Sequence, residues 1–149
     1  MCIRDSAYNA LGQNNKAEAS LRRALGFDPN NVAVHLNLGM LLAEMGRRAE
    51  AEQAFRAAFK ANPKSAQAAY NLAVLLANDH PAEALDWCRH AATLGQDNPQ
   101  YGYTYAFFLQ RAGQPGPALQ VIRAVRRNHP THDDSIRLEQ ALLREKNIK

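Results

Sequence analysis

Apolar and polar positions along this chain repeat with the period of an α-helix, in short segments separated by glycine and proline. In the stretch from Val32 to Pro63, apolar residues recur three or four positions apart, first through Leu38 and Leu42 and later through Phe55. Much of the apolar content is alanine and β-branched runs are scarce, which favours closely packed helices over strands. The pattern predicts an all-helical chain.

Three prolines end similar short sequence segments at regular intervals. Pro29 and Pro63 are separated by one period of about 34 residues, which is typical of a helix–turn–helix repeat. Pro130 follows Pro63 after almost two such periods. Because the residue before a proline avoids the helical region, we expect each of these prolines to end the second helix of a unit.

The unit that begins at Val32 carries the clearest motif. Its motif residues are Leu38, Gly39, Leu42, Gly46, Ala51, Phe55, Ala58 and Pro63. They resemble the pattern of the tetratricopeptide repeat family. We expect Gly39 and Ala51 to be small where two antiparallel helices cross closely, and Gly46 to end the first helix in the left-handed conformation.

The same register continues with departures. In the unit from Ala66, the turn over 78–81 is one residue shorter and lacks the glycine, and Pro81 is expected to open the second helix. In the unit from Pro99, the breaker cluster over 113–117 falls where the hairpin turn belongs. The first unit survives only in part, with Gly12 in its motif and a predicted helix from Asn15 to Gly26.

The resemblance implies an all-α fold, an α-solenoid of antiparallel helical hairpins wound into a right-handed superhelix. The predicted organisation is a single tetratricopeptide-like domain over 1–149, with a partial repeat (1–31), three repeats (32–65, 66–98 and 99–132) and a C-terminal capping helix (133–149). The last helix begins with Asp133 and Asp134, and its polar surface suits a solvating cap. The alternative is the first helix of a further, truncated repeat.

Residues 1–6 resemble a translated sequencing adapter, so no function is assigned to them. The expectation that follows is a C-terminal fragment of a longer bacterial or metagenomic protein. No signal peptide is visible, and the cytoplasm is the default compartment. No segment is long and apolar enough to be predicted as a membrane span.

Charge and motifs narrow the classes of function. The net charge is +4, and the arginines are scattered along the predicted helices, which favours a solvated outer face over a nucleic-acid surface. No phosphate loop, HExxH or GxSxG motif occurs. His129 and His132 lack the further ligands of a metal site, and Cys88 reads as a small core residue. We therefore expect no catalysis, no metal and no cofactor.

The resemblance also implies that partners lie on the concave wall formed by the first helix of each unit. The residue before the motif leucine is an amide in two units, and an amide both donates to and accepts from the backbone of an extended peptide. Its neighbours are aromatic or apolar rather than charged, which argues against a basic clamp for a carboxylate. The predicted peptide-binding groove consists of Asn37, Met40, Gln67, Tyr70, Asn71, Val74, Gln100, Tyr103, Thr104, Phe107 and Gln110.

The predicted function is a protein–protein interaction scaffold that binds an extended peptide or a partner protein in this groove. Two alternatives stay open. The first is an accessory repeat domain of a larger enzyme or electron carrier, such as a glycosyltransferase or a multihaem cytochrome, whose active part lies upstream. The second is RNA binding through the scattered arginines, which would weaken steeply with salt.

Overall fold

The computed structural model describes residues 3–148, with side chains from 9 to 147. Met1, Cys2 and Lys149 lie outside the described residues, and with them part of the adapter-like segment and both ends of the predicted domain. Within the described span the regular structure is helical, as predicted. The helices are α1 (Ile3–Phe27), α2 (Val32–Glu44), α3 (Arg48–Ala61), α4 (Ala66–Leu76), α5 (Pro81–Leu94), α6 (Pro99–Arg111), α7 (Pro115–Asn128) and α8 (Asp133–Ile148).

The recurring prolines mark helix ends as expected. Helices α1, α3 and α7 each end two residues before Pro29, Pro63 and Pro130. The helices that follow α1 and α3 begin with side-chain caps. The Asn31 side chain accepts from the backbone N–H of Val34 at 3.1 Å, and Ser65 Oγ accepts from that of Ala68 at 3.2 Å. Such caps satisfy amides that have no partner inside the helix.

Two of the hairpin turns depend on glycine. Gly46 and Gly113 adopt φ angles of +77° and +76°, the left-handed region in which a side chain is strained. The backbone N–H of Arg47 then donates to the carbonyl of Leu42 at 2.9 Å, which satisfies a carbonyl at the end of α2.

The turn between α4 and α5 differs from the prediction. It spans residues 77–80 and is one residue longer than the other two hairpin turns, not shorter. The deleted residue is taken from the helix, because α4 has 11 residues where α2 and α6 have 13. Without a glycine, the chain leaves α4 through Ala77 in a helical conformation, and the His80 N–H donates to the Leu76 carbonyl at 2.8 Å. Pro81 opens α5 as expected.

Helix α1 also differs from the sequence-based expectation. The sequence predicts a helix from Asn15 to Gly26, after the motif glycine Gly12. The structure instead shows one continuous helix from Ile3 to Phe27. Nothing lies within 4 Å of the Cβ position of Gly12. A single glycine inside a long helix costs only about 1 kcal/mol, so the helix continues through it.

The chain divides into two compact units, residues 1–64 and 65–149, which are described separately. The first unit contains α1, α2 and α3. Its hairpin crossing has the predicted geometry, since a Cβ added at Gly39 would lie 2.4 Å from the Phe55 ring. Ala51 is fully buried in the same hairpin, and Leu42 fills the space beside it.

An ion-pair cluster ties α1 to the α2–α3 turn within the first unit. Arg47 contacts Glu18 and Glu50, each at 2.6 Å, and Arg22 contacts Glu18 at 2.8 Å. Hydrogen bonds from Arg47 and then Arg22 lower the pKa of Glu18. Arg22 and Arg47, which the sequence analysis assigns to a solvated face, therefore form ion pairs with carboxylates.

The second unit contains α4 to α8. Leu72 and Cys88 are buried between α4 and α5. Helix α8 covers the core formed by α6 and α7, with Leu138 and Leu142 buried against them. Glu139 on the same helix is also buried and pairs with Arg126 and, at 3.2 Å, with Arg123. Helix α8 begins at Asp133, the acidic position at which the sequence predicts its start.

Candidate peptide-binding surface

The predicted groove residues of the second unit lie on α4 and α6. On α4, Val74 is four residues from Tyr70 and three from Asn71, so it neighbours both of them on the helix surface. Tyr70 is half-buried and its ring lies 5.0 Å from that of Tyr101, centroid to centroid. Val74 is 50% exposed. Gln67, at the start of the helix, is exposed.

Asn71 is half-buried beside these residues. Its Nδ2 atom is inaccessible to solvent and has no hydrogen-bond partner among the residues that the structure describes. A buried amide without a partner costs free energy, so its presence requires an explanation.

Two aromatic side chains form a pair on α6. Tyr103 and Phe107 are four residues apart, and their rings stack with centroids 6.3 Å apart and planes 18° apart. Phe107 is nevertheless 37% exposed and Tyr103 is half-buried. The pair presents rigid apolar surface to solvent, in the geometry that aromatic rings favour.

The polar residues predicted on α6 are engaged within the unit. Thr104 is buried, contrary to the expectation that it faces a partner, and its hydroxyl accepts from Gln100 Nε2 at 3.4 Å. Gln110 donates to the carboxylate of Glu145 on α8. The remaining surface on α4 and α6 is aromatic and apolar, with Asn71 as its least satisfied polar group.

The first unit contributes two predicted residues, both on α2. Asn37 and Met40 are exposed, while Leu36 and Leu38 on the same helix are buried. The helical period therefore separates a core side of α2 from a side that carries the predicted residues.

Sequence reasoning missed two residues that support this surface. Tyr101 occupies the space that Gly95 leaves, since a Cβ at Gly95 would lie 2.5 Å from the Tyr101 ring. The His132 and Tyr103 rings meet in a T-shaped arrangement with centroids 6.1 Å apart, and His132 Nδ1 interacts with the backbone N–H and the hydroxyl of Ser135 at the start of α8. For Tyr101, the signal in the sequence was Gly95, which stands where the closing proline of a repeat is absent.

The described residues hold no group of three or more His, Cys, Asp or Glu side chains suited to a metal ion. Burial raises the pKa of the Cys88 thiol to about 12, so this thiol is protonated and unreactive at neutral pH. His129 Nε2 lies 3.1 Å from the carbonyl of Gln96, a structural contact between the α7–α8 loop and the α5–α6 loop. Among the described helices, none combines the length and hydropathy needed to cross a membrane.

Comparison with known proteins agrees with this architecture. Residues 8–75 match the family model described as tetratricopeptide repeat. A crystal structure of MamA superimposes with a TM-score of 0.77 at 20% sequence identity, covering 95% of this chain and 78% of that one. The chain has the tetratricopeptide-repeat fold.

Two further solved structures share the repeat fold. A crystal structure described as "YrrB: a TPR protein with an unusual peptide-binding site" gives a TM-score of 0.73 at 20% identity, over 95% of this chain and 74% of that one. MamA from Desulfovibrio magneticus RS-1 gives 0.67 at 20% identity, over 85% and 72%. No curated protein sequence is a significant match. Tetratricopeptide repeats generally act as scaffolds without catalysis, and stacks of such repeats present extended binding surfaces.

Proposed function

We propose that this protein is an interaction scaffold that holds an extended peptide along α4 and α6 of its second unit. The observation that carries the proposal is the stacked pair of Tyr103 and Phe107. This pair leaves aromatic surface exposed to solvent instead of burying it in the core. Aromatic anchors of this kind supply most of the binding energy at protein interfaces.

The polar part of the recognition is assigned to Asn71. Its Nδ2 donor is inaccessible to solvent and has no partner among the described residues, so a rotation of the side chain on binding has to bring it to the matching acceptor, a backbone carbonyl of an extended peptide. Val74, one turn farther along α4, supplies an exposed apolar contact for a peptide side chain. The proposed ligand is therefore an extended peptide held by both backbone hydrogen bonds and apolar side-chain contacts.

Other observations support the proposal. YrrB, which has the same fold, is described as having a peptide-binding site. Arg22, Arg47, Arg123 and Arg126 are engaged with carboxylates, which lowers the positive potential that RNA binding requires. We keep Asn37 and Met40 as proposed contacts on the first unit and omit Thr104, because its side chain is buried.

The proposal is tested by selecting binders from a phage-displayed library of random peptides on the immobilised protein. The affinity of the best synthetic peptide is then measured by fluorescence polarisation for the wild type and for Phe107→Ala. Since an aromatic anchor contributes at least about 2 kcal/mol, we expect the variant to bind roughly thirtyfold more weakly.

Leu94→Ala is the matched control. Leu94 lies on α5 of the same unit and is 39% exposed, close to the 37% of Phe107. The control is expected to bind as the wild type does. Equal losses in both variants, or a selected peptide whose affinity is insensitive to Phe107→Ala, would show that binding occurs elsewhere.

A further inference from the structure

A cavity of about 400 Å³ lies in the second unit between the α4–α5 turn and the α6–α7 turn. Its walls include Ala77, Ala82, Leu85 and Phe108, and Arg111 and Gln114 provide its polar groups. None of these residues belongs to the proposed peptide-binding surface. The cavity is thus a separate feature of the same unit.

The cavity lies where α4 ends early. Helix α4 has two residues fewer than α6. Because each helical residue contributes about 1.5 Å of length, α4 is shorter by about 3 Å. The chain then passes through the irregular turn after Ala77, and both Ala77 and the start of α5 line the space. Small alanine side chains at these positions do not fill it.

The inner wall of the cavity is apolar and well supported. Leu85 packs against the core formed by α6, α7 and α8, and the Phe108 ring lies 6.2 Å from that of Phe107. Both side chains are only half-buried, so an apolar ligand would remove their remaining surface from water. The volume falls in the range of about 300–1,000 Å³ that is usual for small-molecule sites.

The charge of the cavity is set by one residue. Of the described residues that line it, Arg111 alone carries a charge, and it is exposed at the end of α6. Within the described part of the chain, the Arg111 guanidinium has no carboxylate partner, whereas Arg89, Arg123 and Arg126 in the same unit all have one. A guanidinium beside an apolar wall matches a carboxylate attached to an apolar group.

We propose that this cavity binds a small apolar carboxylic acid. The hydrocarbon part lies against Leu85 and Phe108, and the carboxylate pairs with Arg111, with the Gln114 amide as a second donor. The inference does not depend on the proposed peptide-binding function, because it uses other residues and a different ligand class.

The test uses the full chain and follows backbone amide NMR shifts during titration. Hydrocinnamate is the probe, and its neutral amide is the matched compound without the charge. We expect shifts that centre on residues 77–85 and 108–114. We also expect the acid to bind about tenfold more tightly than the amide, as one charged hydrogen-bonded pair supplies that difference.

Variants separate the two parts of the site. Arg111→Gln is expected to abolish the preference for the acid over the amide, while Arg144→Gln, an exposed arginine on α8, leaves it unchanged. Ala82→Leu adds apolar volume inside the cavity and is expected to weaken both compounds. Its helical circular dichroism spectrum, compared with that of the wild type, shows whether the fold is retained.

Several results would overturn the proposal. These are absence of titratable shifts at the solubility limit of hydrocinnamate, shifts centred outside the cavity, and a preference for the acid that survives Arg111→Gln. An acetylated tripeptide ending in phenylalanine provides a further arm. If it binds more tightly than hydrocinnamate at the same residues, the site takes a polypeptide C-terminus and the assignment of a free acid is wrong.

Discussion

Glycines at helix crossings fix how closely neighbouring elements of this protein approach each other. In the first unit a Cβ at Gly39 would meet the ring of Phe55, and in the second a Cβ at Gly102 would lie 2.3 Å from Val125 Cγ2. Phe55 is buried, so its ring has no free space into which to move. At these positions the absence of a side chain is a packing requirement.

This requirement gives a prediction for Gly39→Ala. Overpacking against Phe55 is expected to lower the free energy of unfolding by about 1–3 kcal/mol, measured by urea denaturation. Gly12→Ala is the control, because Gly12 is helical and nothing lies within 4 Å of its Cβ position. There the better helix propensity of alanine is expected to raise stability by up to about 1 kcal/mol. Destabilisation of similar size in both variants would contradict the packing argument.

The elements of the second unit are joined by charge as well as by apolar packing. Helix α8 covers α6 and α7 through Leu138 and Leu142, and it places Glu139 against Arg126 and Arg123 of α7. The hydrogen bond from Arg126 is the main reason that the pKa of Glu139 falls below its ordinary value of 4.5, and burial partly opposes the effect. The packing of α8 on α7 therefore depends on an ionised carboxylate.

The lowered pKa predicts a specific pH dependence. The folded state binds the Glu139 proton more weakly than the unfolded state, so the stabilisation is fully present above the unfolded value near 4.5. It is lost as the pH falls through the lower folded value. At neutral pH, Glu139→Gln is expected to lower the free energy of unfolding by roughly 1–3 kcal/mol. The difference from the wild type should shrink as the pH falls below 4.5.

Asp86→Asn provides the comparison for that experiment. Asp86 pairs with Arg89 across one turn of α5, and both side chains are more than half exposed. Exposed pairs contribute less than about 1 kcal/mol, so this variant should stay close to the wild type at every pH. A loss in Glu139→Gln that is independent of pH would indicate a packing defect rather than a lost ion pair.

At the scale of the whole molecule, the two compact units each have their own buried residues. The second unit, residues 65–149, contains its own hairpins, a core between α6, α7 and α8, and a covering helix with a charged exterior. In repeat proteins stability is approximately a sum of repeat and neighbour terms, so a part whose own core is covered can fold alone.

We accordingly expect a fragment of residues 65–149 to be helical by circular dichroism and to unfold cooperatively. A second fragment, residues 65–132, lacks α8 and exposes the core that Leu138 and Leu142 cover. It should unfold at a lower temperature or fail to fold. If both fragments melt alike, α8 does not act as a cap.

Much of the architecture follows from the sequence alone. The period of the prolines and the helical spacing of apolar residues predict the hairpins, because each signal acts within one helix or one turn. The close approach at Gly39 and the left-handed turn at Gly46 are predictable for the same reason. The prediction of a short α4–α5 turn was wrong, since the sequence does not reveal whether a deletion is absorbed by a turn or by a helix end.

The candidate surface could be predicted only in part from the sequence. The sequence determined that Tyr103 and Phe107 share one side of α6, because that follows from the helical period. Only the tertiary structure decided that the pair stays exposed while Thr104 is buried, that Tyr101 fills the space left by Gly95, and that Arg126 and Glu139 meet. Burial and pairing depend on which helices pack together, and a side chain's own neighbours in the sequence do not carry that information.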